Sequence, residues 1–397
     1  MNKRFFPRID LPLLMAIIPI MLLSSLTLWS ASGFDESMLF KHLARCALTL
    51  VMAIIPIMLL SSLTLWSASG FDESMLFKHL ARCALTLVCI LVMSSIPAAS
   101  YQRSAPYLYF VAVSLLLAVA LFGDSTNGSQ RWLDIGFFRF QPSELIKLSI
   151  PIMIAWMLHL EGGRPDFRKI ALCLMITLVP AGLIALQPDL DGAIFTVIYA
   201  LFVLFFAGMS WKIIGGFVVS VLTLAPILWF FVMEAYQKSR VTQFLHPESD
   251  PLGSGYQIIQ SLIAIGSGGM KGKGWMNATQ GTLGFIPESH TDFIFSTYAE
   301  EWGFIGCVVL LALYLFITAR VMLLACQSEH FFSRLVSGTL AMSFFLYAFI
   351  NTGMVSGLLP VMGSPLPFFS YGGTAMLTQG ICFGVIMSLC YSKYRNT

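Results

Sequence analysis

Runs of about twenty apolar residues recur along most of this chain of 397 residues. A run of that length, folded as an α-helix, is long enough to cross the ~30 Å hydrocarbon core of a bilayer. A segment inside a bilayer must satisfy its own backbone amides and carbonyls, and so many separate spans favour helices over a closed barrel. With 57% hydrophobic and 11% charged residues, the composition excludes an ordinary soluble domain. The predicted fold class is therefore an all-α polytopic membrane protein.

Hydropathy and charge together predict the number and orientation of the spans. The candidate spans are 11–31, 46–67, 79–98, 105–123, 143–160, 169–187, 190–209, 213–233, 293–319, 333–358 and 373–392. Lys and Arg cluster before the first span, in alternate short connections and in the tail. By the positive-inside rule these parts are cytoplasmic. The other connections are then predicted to face outward, and they are 124–142, 188–192, 234–292 and 359–372.

One segment of the chain is present twice. Residues 15–51 recur without a change at 52–88. Structural repeats of transporters are diverged, so an identical copy indicates a recent duplication or an assembly artefact rather than an evolved symmetry. Eleven spans would put the two basic termini on opposite sides of the membrane, whereas ten keep both in the cytoplasm. We therefore predict ten spanning helices, with a supernumerary region 1–51 whose first copy is peripheral and a membrane domain 52–397.

The outward connections carry cations that this side of the membrane does not favour. Arg131 lies in a short loop rich in aromatic residues, and Arg240 and Lys273 lie in the long loop 234–292. Long loops cross the membrane regardless of charge, so solvated side chains are one interpretation of these residues. The other interpretation is a site for an anionic ligand such as a phosphate or pyrophosphate.

Two ionisable residues lie where the chain re-enters the membrane after the first of these loops. Pro142 suits the first turn of a helix, and the spacing then puts Glu144 and Lys147 on one face. The two residues form either a structural ion pair or the lining of a water-filled cavity, because ionisable residues at membrane depth usually face the interior of the bundle.

The stretch 281–300 concentrates carboxylates against an apolar run. Asp292 stands where the outward loop becomes a helix, directly before Phe293 to Phe295. There its carboxylate can cap the helix by accepting backbone N–H groups, or it can act in catalysis. Glu300 and Glu301, two turns further on, are expected to form buried structural pairs.

The glycine-rich run GSGGMKGKG in the long loop superficially resembles a phosphate-binding loop. It lacks the GxxxxGK[ST] spacing because Gly274 follows Lys273, and ATP is not expected outside the cytoplasm. Nucleotide binding is therefore not predicted. The apolar stretch Ile258 to Ile265 instead predicts that part of the loop is ordered.

Several motifs occur in a fixed order along the chain. They are QRWLDIGFFRFQPSELIKL, QPDL, RVTQFLHPESDPLGSGYQIIQS, GSGGMKGKGW, PESHTDFIF and NTGMVSGLLPVMGSPLPFFSYGGT. In this order they resemble the SEDS family of bacterial cell-wall glycosyltransferases, and most of all its rod-shape-determining branch. The resemblance runs from the second repeat copy to the C-terminus. One departure is QPDLDG in place of the family's QPDLGT, with Asp191 where glycine is expected.

The resemblance implies a ten-helix enzyme of the bacterial cytoplasmic (inner) membrane that polymerises lipid II on the outer face. The reaction would invert the donor sugar and release undecaprenyl pyrophosphate. The essential carboxylate would be Asp292, with Arg131, Glu144 and Lys147 lining a polar cavity near it. Further substrate-binding residues expected from the motifs are Arg240, Gln260, Lys273, His290 and Ser370. The expected partners are a class B penicillin-binding protein and rod-complex membrane proteins, and not a nucleic acid.

Elementary chemistry is consistent with these roles. Pyrophosphate is a good leaving group, so the enzyme must mainly deprotonate the acceptor 4-hydroxyl and neutralise charge on the phosphates. A free aspartate with a pKa near ~3.9 is a weak base, so burial against Phe293 to Phe295 is needed to raise the pKa of Asp292. A divalent ion, Mg²⁺ or Mn²⁺, would assist the cations, although no motif assigns its ligands.

Two other functions compete with glycosyl transfer. A lipid II flippase is indicated by the Pro- and Gly-rich stretch 357–373, because transporters build midplane sites from broken helices. Against a flippase, the polar chemistry concentrates in an outward loop. The third interpretation is a scaffold that only recruits the transpeptidase. A scaffold predicts that Asp292→Asn is tolerated, since Asn caps helices equally well.

Overall fold

The computed structural model describes residues 38–126, 129–134, 139–161, 165–233, 238, 242, 244, 254–281 and 283–391. The predicted span 11–31 and Arg240 lie outside the described residues. The chain divides into two compact units, with the boundary after Ile55. The described part of the first unit is helical, and the second unit, from Pro56 onward, contains all the other elements.

The described residues are mostly helical. The helices are α1 (Met38–Ala68), α2 (Glu73–Ser95), α3 (Ala98–Phe122), α4 (Pro142–Glu161), α5 (Phe167–Leu186), α6 (Leu190–Phe206), α7 (Trp211–Ile227, continued by a π-helical turn Leu228–Val232), α8 (Ser254–Gly268), α9 (Ile294–Gln327), α10 (Phe331–Val355) and α11 (Gly373–Tyr391). Among the described residues, nine helices are long and apolar enough to cross a membrane, and α6 is a shorter apolar helix of 17 residues. These ten helices overlap the predicted spans from 46–67 onward, which confirms the polytopic helical fold.

A small sheet between α3 and α4 was not predicted. Its strands are β1 (Asp124–Thr126), β2 (Ser129–Asp134) and β3 (Arg139–Phe140), paired antiparallel in that order. Strands this short carry too little alternation of polar and apolar residues to be recognised from sequence. The sheet occupies the first predicted outward connection and supports Arg131 on β2.

Local signals in the sequence explain where several helices begin. Asp72 caps α2 by accepting the Ser74 and Met75 amides at 2.9 and 3.2 Å. Pro142 opens α4 as predicted, because its missing N–H has no partner in a first turn anyway. Asp189 caps α6 by accepting the Gly192 amide at 3.0 Å.

Helix α9 is broken at Gly303, and the glycine-rich run packs into the break. Gly303 has φ 64° and ψ −165°, which interrupts the helix a little beyond its second turn. The Phe304 amide donates to the Gly269 carbonyl at 2.8 Å, and the Gly274 amide donates to the Glu301 carbonyl at 3.0 Å. A Cβ on Gly272 would lie 2.0 Å from the Glu301 carbonyl oxygen, so only glycine fits there. The run GSGGMKGKG is therefore a structural clasp on α9.

Hydrogen bonds connect residues of the second repeat copy to the segment before α11 and to the region around the break in α9. Ser61 donates to the Phe369 carbonyl at 2.5 Å, and Ser67 donates to the Glu301 carboxylate. The Trp275 indole donates to the Leu63 carbonyl at 3.2 Å. The end of α1 therefore lies at the same end of the bundle as the glycine clasp. Helix α2 runs along α11, while α4 packs against α6 and α10.

Candidate active site

Asp292 lies immediately before α9, but it does not cap that helix. The N-cap is Phe293, which makes no side-chain capping bond. The predicted capping role of Asp292 is therefore wrong. The preceding turn closes on itself, because the Thr291 and Phe293 amides both donate to the Glu288 carbonyl. This turn leaves the Asp292 carboxylate free to face another segment.

The segment facing Asp292 is the connection between α10 and α11. The Asn351 amide donates to the Asp292 carbonyl and to the Ser364 carbonyl, each at 2.8 Å. A Cβ on Gly363 would lie 3.7 Å from Asp292 Oδ2, so the carboxylate is in contact with this segment. Asn351 is fully buried and ties together the turn that carries Asp292 and the segment opposite.

The surroundings of Asp292 change its acidity. Burial, together with the negative charges of Glu288 and Asp191, raises the pKa of Asp292 to about 7. The expected apolar wall is present, since Phe293 and Phe295 are both buried. A carboxylate with a pKa near neutrality can accept a proton at physiological pH far more readily than an ordinary aspartate.

His290 connects the same turn to the start of α11. The Tyr371 amide donates to the His290 carbonyl at 3.0 Å. The imidazole is partly buried, and burial lowers the pKa of His290 while Glu288 acts in the opposite direction. A lowered pKa keeps the ring neutral at pH 7, so His290 supplies hydrogen-bonding groups here rather than a positive charge.

A buried ion pair on α4 lines a cavity closed by the segment before α11. Lys147 donates to Glu144, and the ammonium lies 4.8 Å from the centroid of the Tyr347 ring. The cavity is lined by Glu144, Lys147, Tyr347, Pro365, Leu366, Pro367, Phe368, Ser370, Gly372, Ala375, Met376 and Gln379. The ion-pair interpretation is therefore confirmed, and the paired residues also line a small cavity. Ser370 accepts the Leu366 amide at 2.8 Å, which shapes the cavity wall.

Arg131 is held at the start of α6. Its guanidinium donates to the Pro188 carbonyl at 2.5 Å and lies 3.7 Å from a carboxylate oxygen of Asp189. Asp191, also at the start of α6, acts electrostatically on Asp292. The start of α6 therefore carries residues that interact with Arg131 and with Asp292. Asp191 itself lies in the first turn of α6, so its replacement of the expected glycine does not prevent the helix from starting there.

Two of the predicted substrate-binding residues have other surroundings. Lys273 donates to Glu300 at 2.5 Å and to Thr279 at 3.1 Å, within the glycine clasp. Gln260 lies on α8, outside the residues that line the cavity. Glu300 and Glu301 form the buried pairs that were expected of them, since Glu301 accepts both Ser67 and the Met276 amide.

Some residues that build the site were not predicted. Asn351, Asp189 and Tyr347 all lie in quoted motifs or apolar runs, but no local pattern marked them. A buried amide inside an apolar span was the available signal for Asn351, because polar residues at membrane depth are costly unless they bond. Among the described residues, no group of three or more His, Cys, Asp or Glu side chains is arranged to hold a metal ion.

The fold and this site define a polytopic membrane protein with a small cavity that contains a buried ion pair, and with a carboxylate of raised pKa on a connecting turn. The chain belongs to the cell cycle protein family that groups FtsW, RodA and SpoVE, which it matches over residues 13–395. This membership confirms the family resemblance of the motifs.

Relatives and solved structures agree with that assignment. The chain is 46% identical over 391 residues to "Peptidoglycan glycosyltransferase MrdB" of Escherichia coli K12, covering 98% of this chain and 96% of that protein. It is 33% identical to "Probable peptidoglycan glycosyltransferase FtsW" of Coxiella burnetii, covering 76% and 82%. A chain of a peptidoglycan synthase complex that coordinates polymerization and crosslinking is similar with a TM-score of 0.76 and 32% identity, covering 87% and 98%. The rod shape determining protein RodA of Thermus thermophilus gives a TM-score of 0.66 and 29% identity, covering 87% and 97%.

Proposed function

We propose that this chain is a peptidoglycan glycosyltransferase that polymerises lipid II into glycan strands for cell elongation. The observation that carries the proposal is Asp292, a partly buried carboxylate with a pKa of about 7 that faces Gly363, two residues before the cavity-lining Pro365. The 46% identity to a named peptidoglycan glycosyltransferase over 98% of the chain supports the reaction class.

In the proposed reaction the acceptor 4-hydroxyl attacks the anomeric carbon of the donor sugar. A new C–O bond forms as the bond to the diphosphate oxygen breaks, and the diphosphate leaves with the bonding electrons. Asp292 accepts the hydroxyl proton, so the attacking oxygen gains nucleophilicity as the bond forms. Attack from the face opposite the leaving group inverts the configuration of the sugar.

The diphosphate needs positive charge around it as it leaves. Lys147 and Arg131 are the cations of the site, and each contacts a carboxylate, Glu144 and Asp189 respectively. These contacts hold the two cations in place before substrate binds, and the remaining donors of each cation can then bind phosphate oxygens.

A divalent cation, Mg²⁺ or Mn²⁺, is part of the proposal. Because the described residues contain no ready group of three ligands, the ion would be held mainly by the substrate phosphates, with one or two carboxylates, which is a common way of holding Mg²⁺. When bound, the ion would neutralise charge on the diphosphate. Chelation is then expected to abolish polymerisation without changing the melting temperature of the protein.

The proposed setting is the bacterial cytoplasmic (inner) membrane, with both termini in the cytoplasm and Asp292 on the outer side. The similarity to a chain of a synthase complex that couples polymerization to crosslinking supports a transpeptidase partner, a class B penicillin-binding protein. Rod-complex membrane proteins are further proposed partners.

The test is glycan polymerisation from labelled lipid II by the purified protein with its transpeptidase partner. Asp292→Asn is expected to lose activity about 10²–10⁴-fold, the usual contribution of a general base. Asp166→Asn is a matched control, because it makes the same change at the cap of α5, where Asn caps as well as Asp.

Either other outcome would contradict the proposal. Equal product from wild type and Asp292→Asn would leave only a scaffold or a different base. A wild type that makes no polymer but moves lipid II across vesicles would be a flippase.

A further inference from the structure

Arg82 is a charged residue inside an apolar span that the proposed chemistry does not use. It lies on α2 nine residues after Glu73, about 14 Å along the helix. Its side chain is partly exposed. A charged side chain at this depth is energetically costly unless it is paired or belongs to a functional site, so we expect Arg82 to have a partner.

The partner that Arg82 has is an aromatic ring rather than a carboxylate. Its guanidinium carbon lies 4.2 Å from the centroid of the Tyr371 ring. No carboxylate of the described residues lies within ion-pair distance of it. In a cation–π contact the charge of the guanidinium interacts with the ring, and its five N–H groups are not hydrogen-bonded to it. These N–H groups remain able to bind an anion.

The contact connects Arg82 to the site of Asp292. Tyr371 donates its amide to the His290 carbonyl at 3.0 Å, two residues before Asp292. A Cβ on Gly373 would lie 3.2 Å from Arg82 Nε, so the glycine leaves room for the guanidinium. Helix α2 begins just after the end of α1, at the same end of the bundle as the glycine clasp.

A second polar group faces the same ring. The His79 ring centroid lies 6.0 Å from that of Tyr371, and the side chain is fully buried. Ser61 donates to the Phe369 carbonyl, so its oxygen accepts from His79 Nε2, which lies 2.8 Å away. This leaves His79 Nδ1 without a partner among the described residues, an acceptor for a hydroxyl or amide of a ligand.

Charge balance also favours an anion at Arg82. Lys147 and Arg131 each contact a carboxylate, whereas Arg82 does not. Planar guanidinium groups bind phosphate oxygens in a bidentate manner. We propose that Arg82 binds a phosphate of the lipid-linked donor beside Tyr371, the residue between the cavity-lining Ser370 and Gly372. The inference rests on the proposed function for the identity of that donor.

The first test uses inorganic pyrophosphate as a probe and the full-length protein with its transpeptidase partner. Pyrophosphate is expected to raise the melting temperature of the wild type, and Arg82→Gln is expected to lose at least about half of that rise. Arg103→Gln is the matched control, because Arg103 lies near the start of α3, at the far end of α2 from Asp72. It should retain the full rise.

The second test measures initial rates against the concentration of lipid-linked donor. Arg82→Gln is expected to raise KM about tenfold with kcat unchanged, and Arg82→Lys to recover part of the loss. An unchanged KM would mean that Arg82 does not bind the donor, and would overturn the proposal. Where Arg82→Gln does not fold, Arg82→Lys carries the test, with a smaller expected increase in KM.

Vesicle composition separates the donor phosphate from bilayer phosphates. The rates are measured in vesicles of phosphatidylcholine, with and without phosphatidylglycerol. An Arg82 effect confined to anionic vesicles would assign the residue to bilayer lipid and overturn the proposal. A wild type that makes no polymer, but whose pyrophosphate response depends on Arg82, would overturn the glycosyltransferase function and leave the anion site standing.

Discussion

Asp292 combines two properties that rarely occur in one aspartate. It is held on a turn that faces the segment around Gly363, and burial raises its pKa to about 7. The negative charges of Glu288, on the same turn, and of Asp191, at the start of α6, act in the same direction. A proton acceptor of this kind has consequences for both rate and stability.

The rate of polymerisation should depend on the ionisation of Asp292. Because a general base acts only when deprotonated, kcat/KM is expected to rise about tenfold per pH unit below about 7 and to level off above it. Glu288→Gln removes one charge that raises the pKa, so the rise should move to lower pH. The measurement is the initial rate of polymerisation by wild type and Glu288→Gln across this pH range. A rate that does not change with pH would exclude Asp292 as the base.

The same shift predicts how stability changes with pH. The folded protein holds the Asp292 proton more tightly than the unfolded chain, so between about pH 4 and about pH 7 this residue makes the wild type less stable as pH rises. Asp292→Asn lacks this effect. Its melting temperature should exceed that of the wild type by a margin that grows to about pH 7 and then stays constant. A margin that does not vary with pH would contradict the raised pKa.

The break in α9 explains how one stretch holds so many carboxylates against an apolar run. Glu300 is fully buried and accepts bonds from Lys273, the Thr279 amide and hydroxyl, and the Gln280 amide. Gly303 ends the first part of the helix and lets the glycine clasp close over it. The carboxylates beyond Asp292 therefore hold the loop before α9 to the bundle.

Lys273 is expected to act on stability rather than on substrate binding. Lys273→Met leaves Glu300 without its cation and should destabilise the protein by about 1–3 kcal/mol, since the other donors remain. The double variant with Glu300→Gln should recover most of that loss. Melting temperatures of the two variants, with KM for the donor as a second readout, make the comparison. A raised KM without a loss of stability would instead support the predicted role of Lys273 in binding substrate.

The duplication lengthens the chain by one copy of the segment, but most of the described helices lie outside that copy. Helix α1 begins in the first copy and ends in the second, and its 31 residues extend about 46 Å, beyond a ~30 Å hydrocarbon core. The span Leu50–Ala68 comes almost entirely from the second copy. The solved structures cover 98% and 97% of their own chains but only 87% of this one, so about an eighth of this chain has no counterpart in them.

Removing one copy should leave the enzyme intact. Because the copies are identical, deleting 15–51 or 52–88 yields the same shortened chain. That chain keeps every contact made by Ser61, Ser67 and Arg82, so we expect unchanged polymerisation and an unchanged melting temperature. In the full-length chain, a reporter fused after Ser32 should read as cytoplasmic. A reporter that reads as extracytoplasmic, with the C-terminus still cytoplasmic, would contradict a peripheral first copy.

The sequence by itself determined the features that depend on neighbouring residues. Apolar run length specified ten of the helices, because a bilayer admits a span only if enough consecutive residues are apolar. The start of α4 at Pro142 follows from the residue there. The position of Asp292 at the end of a long loop follows from the order of loop and span. Each of these is a property of a short stretch and needs no knowledge of the rest of the chain.

Only the tertiary structure decided which polar groups meet. Lys273 and Arg131 look alike in sequence, as cations in connections between spans, but Lys273 pairs with Glu300 and Arg131 with Asp189. Asp292 was equally suited to capping α9, and the turn at Glu288 directs it elsewhere. These outcomes depend on contacts between residues far apart in the chain, whose desolvation and geometry no local pattern contains.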